Sequence, residues 1–361
     1  MKVLFDVFEL DRGHGNSLGI FRYAQELFQG LQAHASPEFE LVLAGHGGNA
    51  ADFPVTTPHA RVLQVADHYP RHAQRLRWRV LGARQAMARS GAQLYFSPKG
   101  FLPWLGARRS VIVVHDLIPL WYAEAHPQHF RGPQRWLVNH GLRTACRRAD
   151  ELITISAASA VDIARRTGRT RHVHVIHNGL APVAEPAVAS EAPRGDYLFS
   201  VGSALPHKNL AGVLAAYRAY RQLSERPLPL VICGAPDTGE PFVTSVRGLG
   251  EQALQAHYRG AAAFVFLSRA EGFGFPPLEA MQHGVPVVCS DIPALREVTQ
   301  GKALLVNPDD SRQAAEALLR ATTPGEARER LREEGQVTAA QYRWEHCARQ
   351  VFDVLRATAL R

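Results

Sequence analysis

Two glutamates flank a glycine-containing loop in the segment 268–281, which reads SRAEGFGFPPLEAM. Glu271 stands before the loop, and Glu279 stands eight positions later, in the first turn of a predicted helix that a pair of prolines opens. Proline suits a first helical turn because its missing N–H needs no partner there. Backbone N–H groups at a helix N-terminus attract anions, and glycines let a ligand approach closely. The segment therefore predicts a diphosphate site with a carboxylate on either side.

A lysine stands at a predicted strand-to-helix turn in the segment 201–210, which reads VGSALPHKNL. We expect a strand to end at Gly202 and Lys208 to begin the following helix. The carboxyl ends of parallel strands border the crevice in which ligands bind, and a lysine there is a mobile positive charge suited to a phosphate. Because the chain has only four lysines, we favour this role over that of a solvated surface lysine.

A histidine and a glycine in the first half are further candidates. His115 follows the buried-strand pattern VIVV and precedes Asp116, which would place it at the carboxyl end of a strand. A lone histidine at such a point could equally be a hydrogen-bonded core residue. Gly19 opens the first predicted helix, where it could admit an anion or serve only as the helix entry residue.

The elements that must position these residues alternate between short apolar runs and helix-like stretches. In the first half the predicted strands are 2–7, 39–43, 93–96, 110–114, 151–154 and 174–176, and the predicted helices are 19–31, 71–88, 133–148 and 157–166. The pattern then restarts, with strands at 197–201, 229–233, 264–267 and 286–289 and helices at 208–220, 277–283 and 294–299. Such alternation predicts an α/β fold with a doubly wound parallel sheet in each half.

The alternation also predicts the domain organisation. We expect two Rossmann-like domains, at 1–180 and 194–340, joined by a linker at 181–193 that is rich in proline and alanine and has no periodicity. A C-terminal helix, 341–361, is expected to pack back on the first domain. Two facing domains of this type create a cleft, which is the usual place for a ligand.

These segments together resemble the retaining glycosyltransferases of family 4, which have the two-domain GT-B fold. The family carries two glutamates with seven residues between them, matched by Glu271 and Glu279, and a Gly…Lys-Asn turn, matched by Gly202 and Lys208-Asn209. The resemblance extends through 197–308 and includes HGVPVVCSDIPALREV. It is thinner in the first half, where GIFRYAQEL, VVHDLIPLW and ELITISAASAVDI carry it.

The resemblance implies a role for each site residue. Glu279 would hold the ribose hydroxyls of a nucleotide-sugar donor, Glu271 would contact the transferred sugar, and Lys208 would neutralise the leaving diphosphate. The remaining groups implied in donor binding are Gly202 and Ser203 of the lysine turn, the backbone of Phe273, Gly274 and Phe275, Gly19 at the diphosphate, and His115 over the donor sugar. No Asp-x-Asp or His/carboxylate cluster indicates a metal, and we expect no cofactor besides the donor.

The sequence departs from the family pattern at two points. Many relatives have an arginine just after the glycine of the lysine turn, and Ser203 stands there instead. Between Cys233 and the helix predicted at 251–258, a helix is missing, although 242–246 fits the strand that should follow it. The family holds the nucleotide base near the end of this strand, here at Val246 and Arg247, so the identity of the base stays open.

The positive charge of the chain is concentrated in its first half. The formal net charge is +8, and residues 1–180 hold 22 Lys and Arg against 13 Asp and Glu. Six arginines lie in the predicted helical segment 71–90, where Leu76, Val80, Ala83 and Met87 would form an apolar stripe. This helix could simply pack on its own sheet, or it could rest on anionic lipid headgroups. A nucleic-acid partner is disfavoured, because no binding motif accompanies the charge.

The function that these features favour is transfer of a hexose, with retention of configuration, to a saccharide or lipid-linked saccharide acceptor in surface polysaccharide synthesis. The HDLIP-type segment resembles bacterial mannosyltransferases, which favours mannose as the sugar. The alternatives are a sugar-nucleotide epimerase of the same architecture and a non-catalytic nucleotide-sugar-binding protein. The apolar N-terminal run is interrupted by acidic residues and lacks a signal peptide's cleavage site, so we expect a cytoplasmic protein, with peripheral attachment to the inner face of the membrane.

Overall fold

The computed structural model describes residues 1–12, 18–104, 109–129, 133–183 and 196–361. The chain divides into two compact units. Unit 1 comprises Met1–Gly179 and Arg343–Arg361, and unit 2 comprises Leu180–Tyr342. Most of the predicted linker, from residue 184 to residue 193, lies outside the described residues.

Unit 1 is built on a parallel sheet of seven strands with helices between them. Its strands are β1 (Lys2–Asp6), β2 (Glu40–His46), β3 (Ala60–Ala66), β4 (Leu94–Ser97), β5 (Ser110–Val114), β6 (Glu151–Thr154) and β7 (Val173–Val175). The helices in its first part, Met1–Gly179, are α1 (Leu18–Gln32), α2 (His72–Arg77), α3 (Ala83–Ser90), α4 (Ile118–Ala125), α5 (Pro133–Arg148) and α6 (Ala157–Thr167). The strand order is β3-β2-β1-β4-β5-β6-β7.

Unit 2 repeats this arrangement with six parallel strands in the order β10-β9-β8-β11-β12-β13. The strands are β8 (Leu198–Val201), β9 (Leu230–Cys233), β10 (Val243–Val246), β11 (Ala263–Phe266), β12 (Val287–Ser290) and β13 (Leu304–Val306). The helices are α7 (Leu210–Leu223), α8 (Glu251–Gly260), α9 (Phe275–Gln282), α10 (Pro293–Thr299), α11 (Ser311–Thr322) and α12 (Glu326–Ala339).

The last helix, α13 (Trp344–Leu360), belongs to unit 1 and packs on α1. The contact is close, because a Cβ added to Gly30 would lie 2.6 Å from Cβ of Ala348. The rings of His34 and Phe352 stack at 4.8 Å, which extends the contact along the two helices.

Both sheets are parallel because their central strands are apolar on both faces and are covered by helices on either side. Every residue of β4, β5 and β6 in unit 1 and of β11 and β12 in unit 2 is buried. The prediction of two Rossmann-like α/β halves is confirmed. Two strands, β3 and β13, were not predicted.

The segment 71–90 is not one continuous helix. A widened π turn, Trp78–Gly82, separates α2 from α3. The extra residue in such a turn rotates the following helix relative to the preceding one. As a result Trp78, Ala83 and Met87 are buried, whereas Leu76 is 43% exposed. The predicted apolar stripe is therefore wrong at Leu76.

Candidate functional site

The strand order of unit 2 reverses between β8 and β11. From β8 the chain continues to β9 on one side, and from β11 it continues to β12 on the other. The loops that follow the two strands consequently diverge and leave a crevice at the carboxyl edge of the sheet, the usual ligand site of an open parallel sheet. The turn that carries Lys208 follows β8, and the loop that carries Glu271 follows β11.

Lys208 and Glu271 form an ion pair at this crevice. The lysine Nζ lies 2.7 Å from Oε1 of the glutamate. Nζ also lies 5.3 Å from the centre of the Phe266 ring. The lysine side chain is 24% exposed and that of the glutamate 10%, so the pair borders solvent while its carboxylate is largely enclosed. The structure therefore brings together Lys208 and Glu271, which the sequence places 63 residues apart.

Lys208 does not begin a helix, as the sequence predicted, but ends a short 3-10 turn, Pro206–Lys208. The helix α7 begins two residues later because Asn209 adopts a left-handed conformation with φ of +52°. Its side-chain oxygen accepts from the N–H of Gly212 as an N-cap, and its Nδ2 donates to the carbonyls of Leu267 and Pro308. Asn209 thus fastens the lysine turn to the loop after β11.

The helix α9 begins at Phe275, two residues before the predicted start. Gly274 precedes it with φ of +124°, and a Cβ there would lie 2.5 Å from Leu295, so only glycine fits. Pro276 and Pro277 have no N–H, and the N–H of Leu278 already donates to the carbonyl of Gly274. Within the first turn of the helix, only the N–H of Phe275 is left to meet an anion.

Glu279 lies in the second turn of α9 rather than in its first, because the helix starts early. The hydroxyl of Tyr258 donates to its Oε2 at 2.8 Å. Tyr258 is buried in the last turn of α8, and its ring stacks on that of His283 at 5.9 Å. Tyr258 was not predicted from the sequence, because no spacing rule connects a tyrosine with a glutamate in a different helix.

The other predicted donor-binding residues of unit 2 differ in how they could act. Phe273 is buried and packs on the rings of Phe275 and Tyr342, so only its backbone could meet a ligand. The N–H of Gly202 donates to the carbonyl of Cys233, the last residue of the neighbouring strand. Oγ of Ser203 accepts from the N–H of Leu205 and therefore closes the loop on itself.

Val246 and Arg247 lie at the end of the edge strand β10. The carbonyl of Val246 accepts from the N–H of Gly234, and Nε of Arg247 donates to the carbonyl of Ala235 at 2.9 Å. The strand confirms the prediction at 242–246. No helix lies between β9 and β10, a stretch that the structure describes throughout, which confirms the predicted shortening.

His115 and Gly19 belong to unit 1. His115 is buried, and its Nε2 lies 2.7 Å from the carbonyl of Pro98, which requires the proton on Nε2. Burial lowers the pKa of His115 to about 4, so the ring is neutral at neutral pH. Gly19 is the second residue of α1, and a Cβ there would meet nothing within 4 Å. Nothing in its surroundings requires glycine at that position.

The described part of the chain contains no group of three or more metal-ligating side chains that could hold a metal ion. None of its helices is long and apolar enough to cross a membrane. The four cysteines are free thiols, and three of them are buried. Of the charged residues predicted for the donor site, Lys208 and Glu271 pair at the crevice, and Glu279 lies in α9 with Tyr258.

Two family models match the chain and together span most of it. The model described as Glycosyltransferase Family 4 matches residues 18–182, and the model described as Glycosyl transferases group 1 matches residues 185–338. The boundary between the two matches lies close to the division between the structural units.

Curated relatives match parts of the chain. The O-antigen chain mannosyltransferase RfbU of Salmonella typhimurium is 28% identical over 58% of this chain and 60% of the relative. The O-antigen chain mannosyltransferase B of Escherichia coli is 30% identical over 44% of this chain and 45% of the relative. The matches therefore span less than two thirds of these relatives.

Solved structures match over almost the whole chain. A sucrose-phosphate synthase from Thermosynechococcus elongatus has a TM-score of 0.76 at 19% identity and covers 99% of this chain and 98% of its own. WaaG, a glycosyltransferase involved in lipopolysaccharide biosynthesis, has a TM-score of 0.70 at 13% identity, with coverage of 98% and 99%. At these identities the likeness concerns the fold, which is that of the GT-B glycosyltransferases.

Proposed function

This chain belongs to the glycosyltransferases of family 4 and group 1, and from that premise we propose that it transfers a hexose, with mannose favoured, from a nucleotide diphosphate sugar to a saccharide or lipid-linked saccharide. The observation that carries the proposal is the Lys208–Glu271 pair, 2.7 Å apart at the crevice of unit 2. The mannosyltransferase names of the relatives support mannose and a role in surface polysaccharide synthesis.

The proposed reaction breaks the bond between the anomeric carbon and the diphosphate oxygen and forms a bond from that carbon to an acceptor hydroxyl oxygen. The nucleoside diphosphate leaves with the bonding electrons, and the anomeric centre passes through an oxocarbenium-like state. The acceptor attacks from the face that the diphosphate leaves, and a leaving phosphate oxygen takes the hydroxyl proton. Configuration is therefore retained.

Lys208 supplies charge stabilisation in this step. Its ammonium group neutralises the negative charge that grows on the leaving diphosphate, assisted by the N–H and dipole of the α9 N-terminus. In the absence of donor, Glu271 holds the lysine. When donor binds, the carboxylate turns to the sugar hydroxyls and the lysine to the phosphate. Glu279 holds the ribose. His115 is neutral and its Nε2 proton is engaged by the carbonyl of Pro98, so its Nδ1 accepts a hydrogen bond from a hydroxyl of the donor sugar.

The acceptor and any membrane contact are assigned to unit 1. Arg71, which precedes α2, and Arg77, its last residue, are both exposed. In the same segment Leu76 and Leu81 are 43% and 42% exposed. Exposed apolar side chains between arginines suit an anionic lipid surface, each arginine contributing about 1 kcal/mol. On this proposal the chain acts in the cytoplasm, at the inner face of the membrane.

A thermal-shift panel of GDP-, UDP-, ADP- and dTDP-sugars tests the donor. We expect GDP-mannose to raise the melting temperature most, because the relatives are mannosyltransferases. A ligand at 100 times its Kd stabilises the folded protein by about 2.7 kcal/mol. Release of nucleoside diphosphate with a saccharide acceptor then tests transfer. Conversion of the donor to its epimer without acceptor would identify an epimerase, and stabilisation without any product would identify a binding protein.

A further inference from the structure

Unit 1 has a charged cluster where its own strand order reverses. The reversal lies between β1 and β4, which are neighbours in the sheet. Glu9 follows β1, and Lys99 follows β4. As in unit 2, the loops after these two strands border a crevice at the carboxyl edge of the sheet. None of the roles that the family resemblance implies falls on these residues.

The cluster consists of Glu9, Arg79 and Lys99, hereafter the Glu9 cluster. Arg79 binds the carboxylate with two parallel hydrogen bonds, from Nε to Oε1 at 2.8 Å and from Nη2 to Oε2 at 2.7 Å. Nζ of Lys99 donates to the backbone carbonyl of Glu9 at 2.8 Å and lies 3.4 Å from Oε2. One carboxylate thus meets two cations, and the cluster carries a net positive charge.

The two cations face the opening of the cluster. The side chains of Arg79 and Lys99 are 25% and 20% exposed, whereas that of Glu9 is 6% exposed. Both cations lie over the ring of Phe101, at 4.2 Å and 5.3 Å from its centre. A narrow pocket opens beside them, and its lining includes the carboxylates of Asp6 and Glu9 as well as Ser97 and Phe101. Because Arg79 and Lys99 are more exposed than Glu9, a ligand at the mouth of this pocket contacts the two cations rather than that carboxylate.

Hydrogen bonds to Asp6 fix the position of the turn that carries Arg79. Arg79 lies in the widened turn Trp78–Gly82, a type of turn that often occurs at functional sites. Asp6 anchors this turn, because its Oδ2 accepts from Nε1 of Trp78 at 2.9 Å and from the hydroxyl of Tyr95. Arg79 and Lys99 are therefore held in place before a ligand arrives, and a preorganised cation pair binds an oxyanion at a low cost in side-chain entropy.

We propose that the Glu9 cluster binds a phosphate of the acceptor, an inference that rests on the proposed function because it assigns the acceptor to unit 1. Arginine and lysine together suit the several oxygens of a phosphate. The pocket holds about 20 Å³, room for about one water molecule, so the phosphate is placed at its mouth, against the part-exposed Arg79 and Lys99. Two sources share this chemistry, a soluble sugar phosphate and the diphosphate of a prenyl-linked saccharide.

The test measures phosphate binding with the lysine of unit 2 removed. In a Lys208→Met background, isothermal titration is carried out with mannose 1-phosphate, with inorganic pyrophosphate and with geranyl diphosphate in detergent. Adding Lys99→Met is expected to weaken binding of at least one probe about tenfold, because one charge-assisted contact is lost while Arg79 still holds Glu9. Lys99→Arg is expected to restore it.

The matched control is Arg148→Met, which removes one positive charge from the exposed last turn of α5 and should leave binding unchanged. Loss confined to geranyl diphosphate assigns the prenyl-linked source, and loss confined to mannose 1-phosphate assigns the soluble one. Equal affinities of the Lys99→Met and Arg148→Met proteins, or no binding of any probe in the background protein, would overturn the proposal. Donor-dependent release of nucleoside diphosphate by the wild type is measured separately, so failure of the proposed function is recognised independently.

Discussion

The two units place charge at the same point of the same topology but arrange it differently. In unit 2 the crevice holds a single lysine on a single carboxylate, Lys208 on Glu271. In unit 1 the carboxylate of Glu9 is held by a bidentate arginine and a lysine together. The Arg79 and Lys99 cations keep the pKa of Glu9 below its ordinary value against the opposing effect of burial.

The difference shows that the parallel sheet supplies the location and the side chains supply the chemistry. A lone lysine on a flexible stem can leave its carboxylate and follow a phosphate as the donor reacts. A bidentate arginine cannot do so without giving up two hydrogen bonds to the buried carboxylate of Glu9, which is costly. Unit 2 therefore suits a group that changes charge during the reaction, and unit 1 suits a group that stays bound.

The largest effect is expected for Lys208→Met. Without the ammonium group the leaving diphosphate is poorly stabilised, and kcat should fall about 1000-fold, the scale seen when one stabilising group is removed from a transition state. Lys99→Met should leave hydrolysis of the donor by water within about twofold, since its phosphate is not the one that leaves. Nucleoside diphosphate release measures both, and equal losses in the two variants would abolish the distinction between the units.

Glu271→Gln should have the next largest effect. The amide keeps the shape of the side chain but loses the charge that pairs with Lys208 and binds sugar hydroxyls, so kcat/KM should fall about 100-fold. The Kd of the free nucleoside diphosphate should change less, because that ligand lacks the sugar. Glu316→Gln, an exposed change on α11, is the control. A larger loss in nucleoside diphosphate affinity than in kcat/KM would place Glu271 at the nucleotide instead.

Much of this comparison could be predicted for unit 2 and little of it for unit 1. Lys208 lies in the short segment that follows β8, and Glu271 and Glu279 lie in the one that follows β11. The local sequence pattern was therefore enough to predict them. The Glu9 cluster joins residues from three distant segments, and its arginine lies in a widened turn that the smooth helical pattern of 71–90 did not predict.

The missed strands have a similar physical reason. Central strands are continuous apolar runs, but β3 lies at the edge of its sheet, and of its seven residues only Ala60 is buried. An edge strand pairs on one side only and tolerates polar residues such as Arg61 and Gln64, so its pattern resembles that of a loop. The starts of α7 and α9 were misplaced because the left-handed Asn209 and the capping Gly274 decide them.

Tyr258→Phe sharpens the account of the nucleotide in unit 2. Its hydroxyl positions Glu279, and its loss should raise the KM for donor about tenfold while kcat changes less. The preference for GDP over 2′-deoxy- and 3′-deoxy-GDP should shrink by the same factor, which a general loss of packing would not cause. Tyr197→Phe is the control, because that buried hydroxyl donates to the carbonyl of His257. An unchanged ribose preference would show that Tyr258 does not position Glu279.

The smallest expected effect is a pH dependence of the free energy of unfolding that arises at the crevice of unit 2 and not at that of unit 1. Burial, with a contribution from the neighbouring Lys208, lowers the pKa of His207 from 6.5 to about 4, and none of the described residues that line the pocket of unit 1 is a histidine. Between pH 6.5 and pH 4 the unfolded chain binds more protons at this position than the folded chain, so the free energy of unfolding falls as the pH falls through that window.

His207→Asn removes this contribution and should reduce the loss of stability between pH 7 and pH 5 by about 2 kcal/mol. Urea unfolding at the two pH values measures it, with His72→Asn, an exposed change at the start of α2, as the control. The ammonium group of Lys208 then lies beside a side chain that stays neutral in acid. If both variants lose stability as the wild type does, His207 is not kept neutral by its surroundings, and acid does not separate the crevice of unit 2 from that of unit 1.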